Sequence, residues 1–164
     1  MQKSGNPLTD LRNLVIPLTI LALATIDQLT KAWIRLYPVS HVVWKAGFVQ
    51  IVHLQNTGAA FGLFQGQNKP LIVVACTGIA VMLALAFWVY RRLPYLVTTW
   101  NRIALGLILG GTIGNLIDRL VFGTVTDFLD TRFWPSFNAA DSGISIGAVM
   151  LAITFLRLAW KEKR

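Results

Sequence analysis

Four stretches of the chain are almost wholly apolar, at 14–26, 70–90, 103–117 and 142–156. Only the second reaches the roughly 20 residues that carry a helix across a hydrocarbon core. The other three share one kind of boundary. Fifteen positions separate Arg12 from Asp27, sixteen separate Arg102 from Asp118, and sixteen separate Asp141 from Arg157. At about 1.5 Å per residue these are roughly 22–24 Å of helix, against a core about 30 Å thick. With the arginines at one boundary, the three aspartates fall at a common depth, roughly 6–8 Å inside the other. The pattern predicts four transmembrane helices, over 13–35, 70–90, 102–121 and 140–158.

The connections differ in kind. Residues 42–54 alternate β-branched and aromatic positions around Gly47, which predicts two short strands. The segment "NTGAAFGLF" that follows is expected to be irregular or a short surface helix, with Asn56 and Gly58 in a tight turn. Val125, Asp127 and Leu129 alternate again and extend the same small sheet, while "RFWPSF" supplies aromatic residues suited to the headgroup level. The fold class is therefore an all-α membrane protein: four transmembrane helices, a small trans-side β-sheet within about 40–66, and a short surface helix or loop. One integral membrane domain is expected over 1–164.

Composition agrees. Apolar residues make up 55% and charged residues 13%, about half the charge of a soluble domain. The net charge of +8 does not indicate nucleic acid, because the basic residues form no stripe with exposed aromatics. They sit at helix ends. Lys3, Arg12, Arg91, Arg92, Arg102, Arg157, Lys161, Lys163 and Arg164, against Asp10 and Glu162, give one side +7. The other side carries Lys31, Arg35, Lys45, Lys69, Arg119 and Arg132 against five aspartates, or +1. Positive-inside bias puts both termini in the cytoplasm and the aspartates near the trans face. The first run, with Ala22 and Ala24 in an A-x-A, also has the form of a cleavable signal peptide; a retained helix explains Asp27 and Lys31 better. The lone Cys76 is expected to be a small buried hydrophobe. With His41 and His53 far from it, no metal or other cofactor is expected.

Ionisable groups inside a span cost a few kcal/mol or more and face a bundle interior or a wet cavity. Asp27 and Lys31 share a helix face, as do Asn115 and Arg119 beside Asp118, and Asn138 is placed to cap the helix that Asp141 begins. Gly106, Gly110 and Gly114, with Gly143 and Gly147, mark faces on which spans three and four are expected to approach. Asp127 and Asp141 stand apart from the other acids: they lie fourteen positions apart, enough for the chain to turn back. Two carboxyls that close do not both ionise readily, so one is poised to take a proton from water and the other to give one. Hydrolysis, a proton or ion pathway and structural pairing all remain open on chemistry alone. Asp118, with Arg119, Asp27 and Lys31 as partners, and Asp130, in an exposed turn, are set aside as members of the pair.

The blocks "DQLTK" (27–31), "NTGAAF" (56–61), "GNLIDR" (114–119), "VTDF" (125–128) and "FNAADSGI" (137–144) occur in that order. Together they resemble the bacterial lipoprotein signal peptidase (signal peptidase II) family over about 25–150. The resemblance implies an aspartic endopeptidase that removes signal peptides from diacylglyceryl prolipoproteins, just before the lipid-modified cysteine. It implies Asp127 and Asp141 as the catalytic pair. Asp27, Lys31, Asn56, Asn115, Arg119 and Asn138, with Gly58 in the turn, are implied as substrate-binding or supporting positions. Thr126 departs slightly from the pattern, which often has an apolar residue there. A monomer in the inner membrane, in contact with lipid and prolipoprotein, is expected. A proton-linked transporter and a non-catalytic lipoprotein-binding factor are the rivals; no inverted internal repeat favours the transporter.

Overall fold

The computed structural model describes residues 11–58 and 64–162. A short 3-10 turn leads into helix α1 (Val15–Ile34). A hairpin follows, β1 (Val42–Ala46) and β2 (Val49–Asn56), then helix α2 (Asn68–Arg92), helix α3 (Thr99–Phe122), strand β3 (Val125–Asp130) and helix α4 (Ala139–Glu162). All four helices are long and apolar enough to cross a membrane. The three strands form one antiparallel sheet in the order β1-β2-β3. A mostly helical membrane fold with a small sheet is what the sequence predicts. Residues 59–63 of the expected surface helix or loop lie outside the described residues.

Local chemistry explains the chain reversals around the sheet. Ala46 opposes Val49 across Gly47 and Phe48, and Gly47 has φ +58°, the left-handed backbone that a two-residue hairpin demands. At the end of α3, Gly123 adopts φ +76°, the usual glycine stop of a helix, and β3 leaves at once. The opposite end of α3 is capped by the Thr98 hydroxyl, which accepts from the Asn101 N–H at 3.2 Å.

Helix α3 is the centre of the bundle, and its glycines decide what it touches. A β-carbon at Gly106 would lie 2.6 Å from Thr19 Cβ, and one at Gly110 3.0 Å from the Ile20 carbonyl, both on α1. The 106/110/114 stripe therefore receives α1, not α4 as the glycine spacing suggested. The α3–α4 approach uses Gly111, against Ala140 and Ile144, and Gly147, against Ala104 and Ile108; Gly143 receives Leu23 of α1. A helix shows several faces, and small residues say that a face is close-packed without saying against what. The first run is one continuous helix through Ala22 and Ala24, with Asp27 and Lys31 buried near its end.

Helix α2 packs along one side against α3 and buries only Leu71. Cys76, expected to be buried, is consequently exposed, on a helix whose surroundings are otherwise Val73, Val74 and similar bare apolar side chains. Gly111→Ala, which would drive a methyl into the Ala140 carbonyl, should lower stability by about 1–3 kcal/mol. Gly78→Ala, with open space at that position on α2, should be neutral or stabilising by up to about 1 kcal/mol. Thermal unfolding of both variants in detergent measures the contrast.

Candidate active site

The polar residues of the helix ends meet in one buried network. Lys31 is 0% exposed, and an ammonium has three hydrogens to place. Its Nζ lies 2.8 Å from Asp27 Oδ2, 2.8 Å from Asn115 Oδ1 and 3.4 Å from Asp118 Oδ2. Asp27 uses its other oxygen to accept from the Ala140 N–H at 2.9 Å, which ties α1 to the first turn of α4. Gln28 Nε2 bridges Asp27 Oδ2, the Gly114 carbonyl and Asp118 Oδ1.

Asp118 does not pair with Arg119. It accepts from Arg35 at 2.6 Å and from the Thr126 N–H at 2.9 Å. Adjacent helical residues point about 100° apart, so Arg119 turns elsewhere and donates to the Gly58 carbonyl at 2.9 Å. Arg35 and Gln28 were not singled out in the sequence as site residues, and Thr126 stood out only as a slight departure from the family pattern. For Arg35 a signal existed: Asp27, Lys31 and Arg35 follow at i, i+4, i+8 on one stripe of an otherwise apolar helix.

Asp141 sits in the first turn of α4, and its carboxylate completes a capping box. Asn138 Oδ1 accepts from the Asp141 N–H at 2.9 Å, while Asp141 Oδ2 accepts from the Asn138 N–H at 3.2 Å. The other oxygen, Oδ1, accepts from Asn115 Nδ2 at 2.8 Å. Because the Asn115 carbonyl is committed to Lys31, its amide nitrogen must face Asp141. Asp127 lies in β3 and is 1% exposed. It accepts from Asn138 Nδ2 at 2.8 Å through Oδ1 and from Asn56 Nδ2 at 3.0 Å through Oδ2. Asn138 therefore touches both acids, one through its side chain and one through its backbone. Asn56 also accepts from the Gly58 N–H at 2.9 Å. Asp130, expected in an exposed turn, is instead the last residue of β3; it is half-buried opposite Gln50, whose amide donates to it at 2.6 Å.

Both acids border an open cleft of about 1030 Å³. Asn56, Asn115 and Arg119 line it with them, and Phe133, Trp134 and Ile146 form apolar wall. Asp27, Lys31 and Asp118 are fully buried and do not line the cleft. Burial, with the Asp141 carboxylate as a second cause, pushes the Asp127 carboxyl up to about 7; the amides of Asn56 and Asn138 oppose the shift. A carboxyl with that affinity is able both to hold and to release a proton near neutrality.

Four membrane-length helices, a polar core and two acids at an open cleft, Asp127 buried and Asp141 half-buried, define a multi-pass membrane protein with a carboxyl-lined site. Comparison with known proteins places it further. Residues 19–157 match the family model described as signal peptidase (SPase) II, and the chain belongs to that family. It is accordingly a peptidase. A lipoprotein signal peptidase of Dehalococcoides mccartyi is 46% identical over 132 residues, covering 79% of this chain and 81% of that one. Another, from Moorella thermoacetica, is 41% identical over 153 residues, covering 91% and 99%. Two solved structures, each described as a bacterial membrane enzyme, share the fold. One has TM-score 0.76 at 26% identity over 85% of this chain and 86% of the other; the second has TM-score 0.72 at 27% identity over 85% and 90%.

The raised Asp127 value carries a consequence for stability. A carboxyl near 7 in the fold and near 4 when unfolded leaves the native state holding more protons across that interval, so its contribution to stability declines as pH rises from about 4 to about 7. Asp127→Asn, which cannot ionise, should gain in melting temperature over the parent from pH 4 to pH 7 and show a constant difference above that. Thermal unfolding across pH measures the gap between the two.

Proposed function

We propose that this chain is an intramembrane aspartic endopeptidase that removes signal peptides from diacylglyceryl prolipoproteins, cleaving before the lipid-modified cysteine. The observation that carries the reading is the convergence of Asp127 and Asp141 on Asn138 at the edge of the open cleft. Two acids sharing one donor residue but differing in surroundings divide acid and base roles between them.

In this scheme a water held between the carboxyls is the nucleophile. Asp141, oriented by Asn115 and its own helix cap, takes a proton from the water as it attacks the scissile carbonyl. Asp127, with its affinity near 7, gives a proton to the departing amide nitrogen when the tetrahedral intermediate collapses. Arg119 and Asn56 border the cleft beside the pair and hold the peptide on either side of the bond. Lys31, Asp27 and Asn115 keep the acids oriented from behind. The apolar wall at Trp134 and Ile146 suits a substrate whose cysteine is anchored by acyl chains at the membrane boundary.

The positive-inside distribution supports an inner-membrane topology with both termini cytoplasmic and the cleft near the trans face. The relatives named as lipoprotein signal peptidases support the substrate class, and a monomer holding the whole pair suffices for the chemistry. Purified protein in detergent should shorten a diacylglyceryl prolipoprotein on a gel. Asp127→Asn and Asp141→Asn should each lower turnover by at least about 10³-fold without loss of folding. Cleavage retained by either variant refutes the pair, and proton flux in sealed vesicles without cleavage would mark a transporter instead.

A further inference from the structure

Thr126 precedes Asp127 in β3 and is 3% exposed. Each of its polar groups is taken by a different part of the fold. The N–H donates to Asp118 Oδ2 of α3 at 2.9 Å, the carbonyl accepts from Asn138 Nδ2 at 3.3 Å, and the hydroxyl accepts from Arg35 Nε at 2.9 Å. Arg35, just past the end of α1, also donates to Asp118 Oδ1 at 2.6 Å. Its guanidinium lies 4.0 Å from the centre of the Phe122 ring. A planar fork with two committed donors and a stacked face has one orientation, so the Thr126 hydroxyl is held against a fixed point.

Asp127 needs such a point. The β2–β3 ladder pairs Asn56 with Val125, Gln55 with Thr126 and Leu54 with Asp127, and its register shifts directly beyond, between Leu54 and Ile51. Asp127 is thus the last residue of the regular pairing, next to a bulge where the strand twists locally, and a second anchor on the neighbouring Thr126 limits that twist. Val125 and Asp127 line the cleft, whereas Thr126 and Arg35 do not; this pair is off the path of the substrate.

We propose that Arg35 and Thr126 are a positioning pair, in which the guanidinium locks the strand through the threonine hydroxyl and thereby aims Asp127 at Asn138 and Asp141. The inference rests on Asp127 being one of the two acids of the proposed reaction. It explains why a second cation stands on the α1 stripe when Lys31 already meets Asp27 and Asp118. Misplacement of a reacting group by about 1 Å lowers rate by about 10²-fold, and a partial loss is expected when one of several anchors is removed.

Turnover of a fluorogenic diacylglyceryl prolipoprotein peptide by the full chain in detergent tests the pair. Thr126→Val has no acceptor for Nε but keeps both backbone bonds and the Arg35 contact with Asp118. It should lower kcat by about tenfold and leave KM within about twofold. Thr126→Ser should restore most of the loss. Arg35→Lys, which retains charge but loses the fork and its face on Phe122, should lower kcat at least as much as Thr126→Val. The double variant should be no worse than Arg35→Lys alone, because the contact that Thr126→Val removes is already gone there. Parental kcat in Thr126→Val alongside a dead Asp127→Asn overturns the inference, as does an additive double loss or an effect confined to KM. Should Thr126→Val fail to fold, parental kcat in Arg35→Lys overturns it equally. Turnover retained by Asp127→Asn overturns the acid assignment itself and is read separately.

Discussion

An ammonium shut away from water must meet an acceptor with every hydrogen, and Lys31 does so with residues from two helices. Removing an ion from solvent costs several kcal/mol even after the protein relaxes. Only full satisfaction makes the arrangement tolerable. Once Asn115 has turned its carbonyl to Lys31, its nitrogen has one remaining use, and Asp141 occupies it. Once Asp27 has given one oxygen to Lys31, the other is available to the first turn of α4. A single buried cation thus dictates the orientation of groups on α1, α3 and α4.

Such a network needs backbones closer than ordinary side chains permit. Gly114 leaves room for Asp27, whose Oδ2 would stand 2.5 Å from any β-carbon there, and Gly111 admits Ala140. The glycines and the charges depend on each other: without close approach the ions would face voids, and without ions the close-packed faces would have no preferred register. Buried ion pairs add little net stability compared with apolar packing, but breaking one is costly. Their use here is to select one arrangement of three helices. Helix α2, which takes almost no part, meets the bundle chiefly through α3 and exposes nearly all its surface.

The two acids at the cleft are held in different ways. Asp141 belongs to a helix cap and shares its oxygens between a backbone N–H and an amide. Asp127 belongs to a strand and receives only side-chain amides, from Asn56 and Asn138. Equal chemistry in unequal surroundings is the condition under which one acid holds a proton that the other has lost. Lys31 with Asp27 and Arg35 with Asp118 form ion pairs outside the lining of the cleft.

Periodicity was enough to write down the four helices and three strands, because apolar length and alternation reflect single elements and their solvent. The equal spacing from arginine to aspartate was likewise legible, since depth along a helix is a one-dimensional quantity. Direction around a helix was not. Which face of α3 receives α1, whether Asp118 turns to Arg119 or to Arg35, and that Cys76 stays uncovered all depend on neighbours far away in the chain. Each was misjudged or missed for that reason. The polar stripe Asp27, Lys31, Arg35 could be read from the chain, but its partners Asn115, Asp118 and Thr126 come from segments more than eighty positions away. Local pattern determined what each segment is; the packing of three helices and a strand around a buried charge decided which groups meet, because hydrogen-bond satisfaction is a property of the assembled interior.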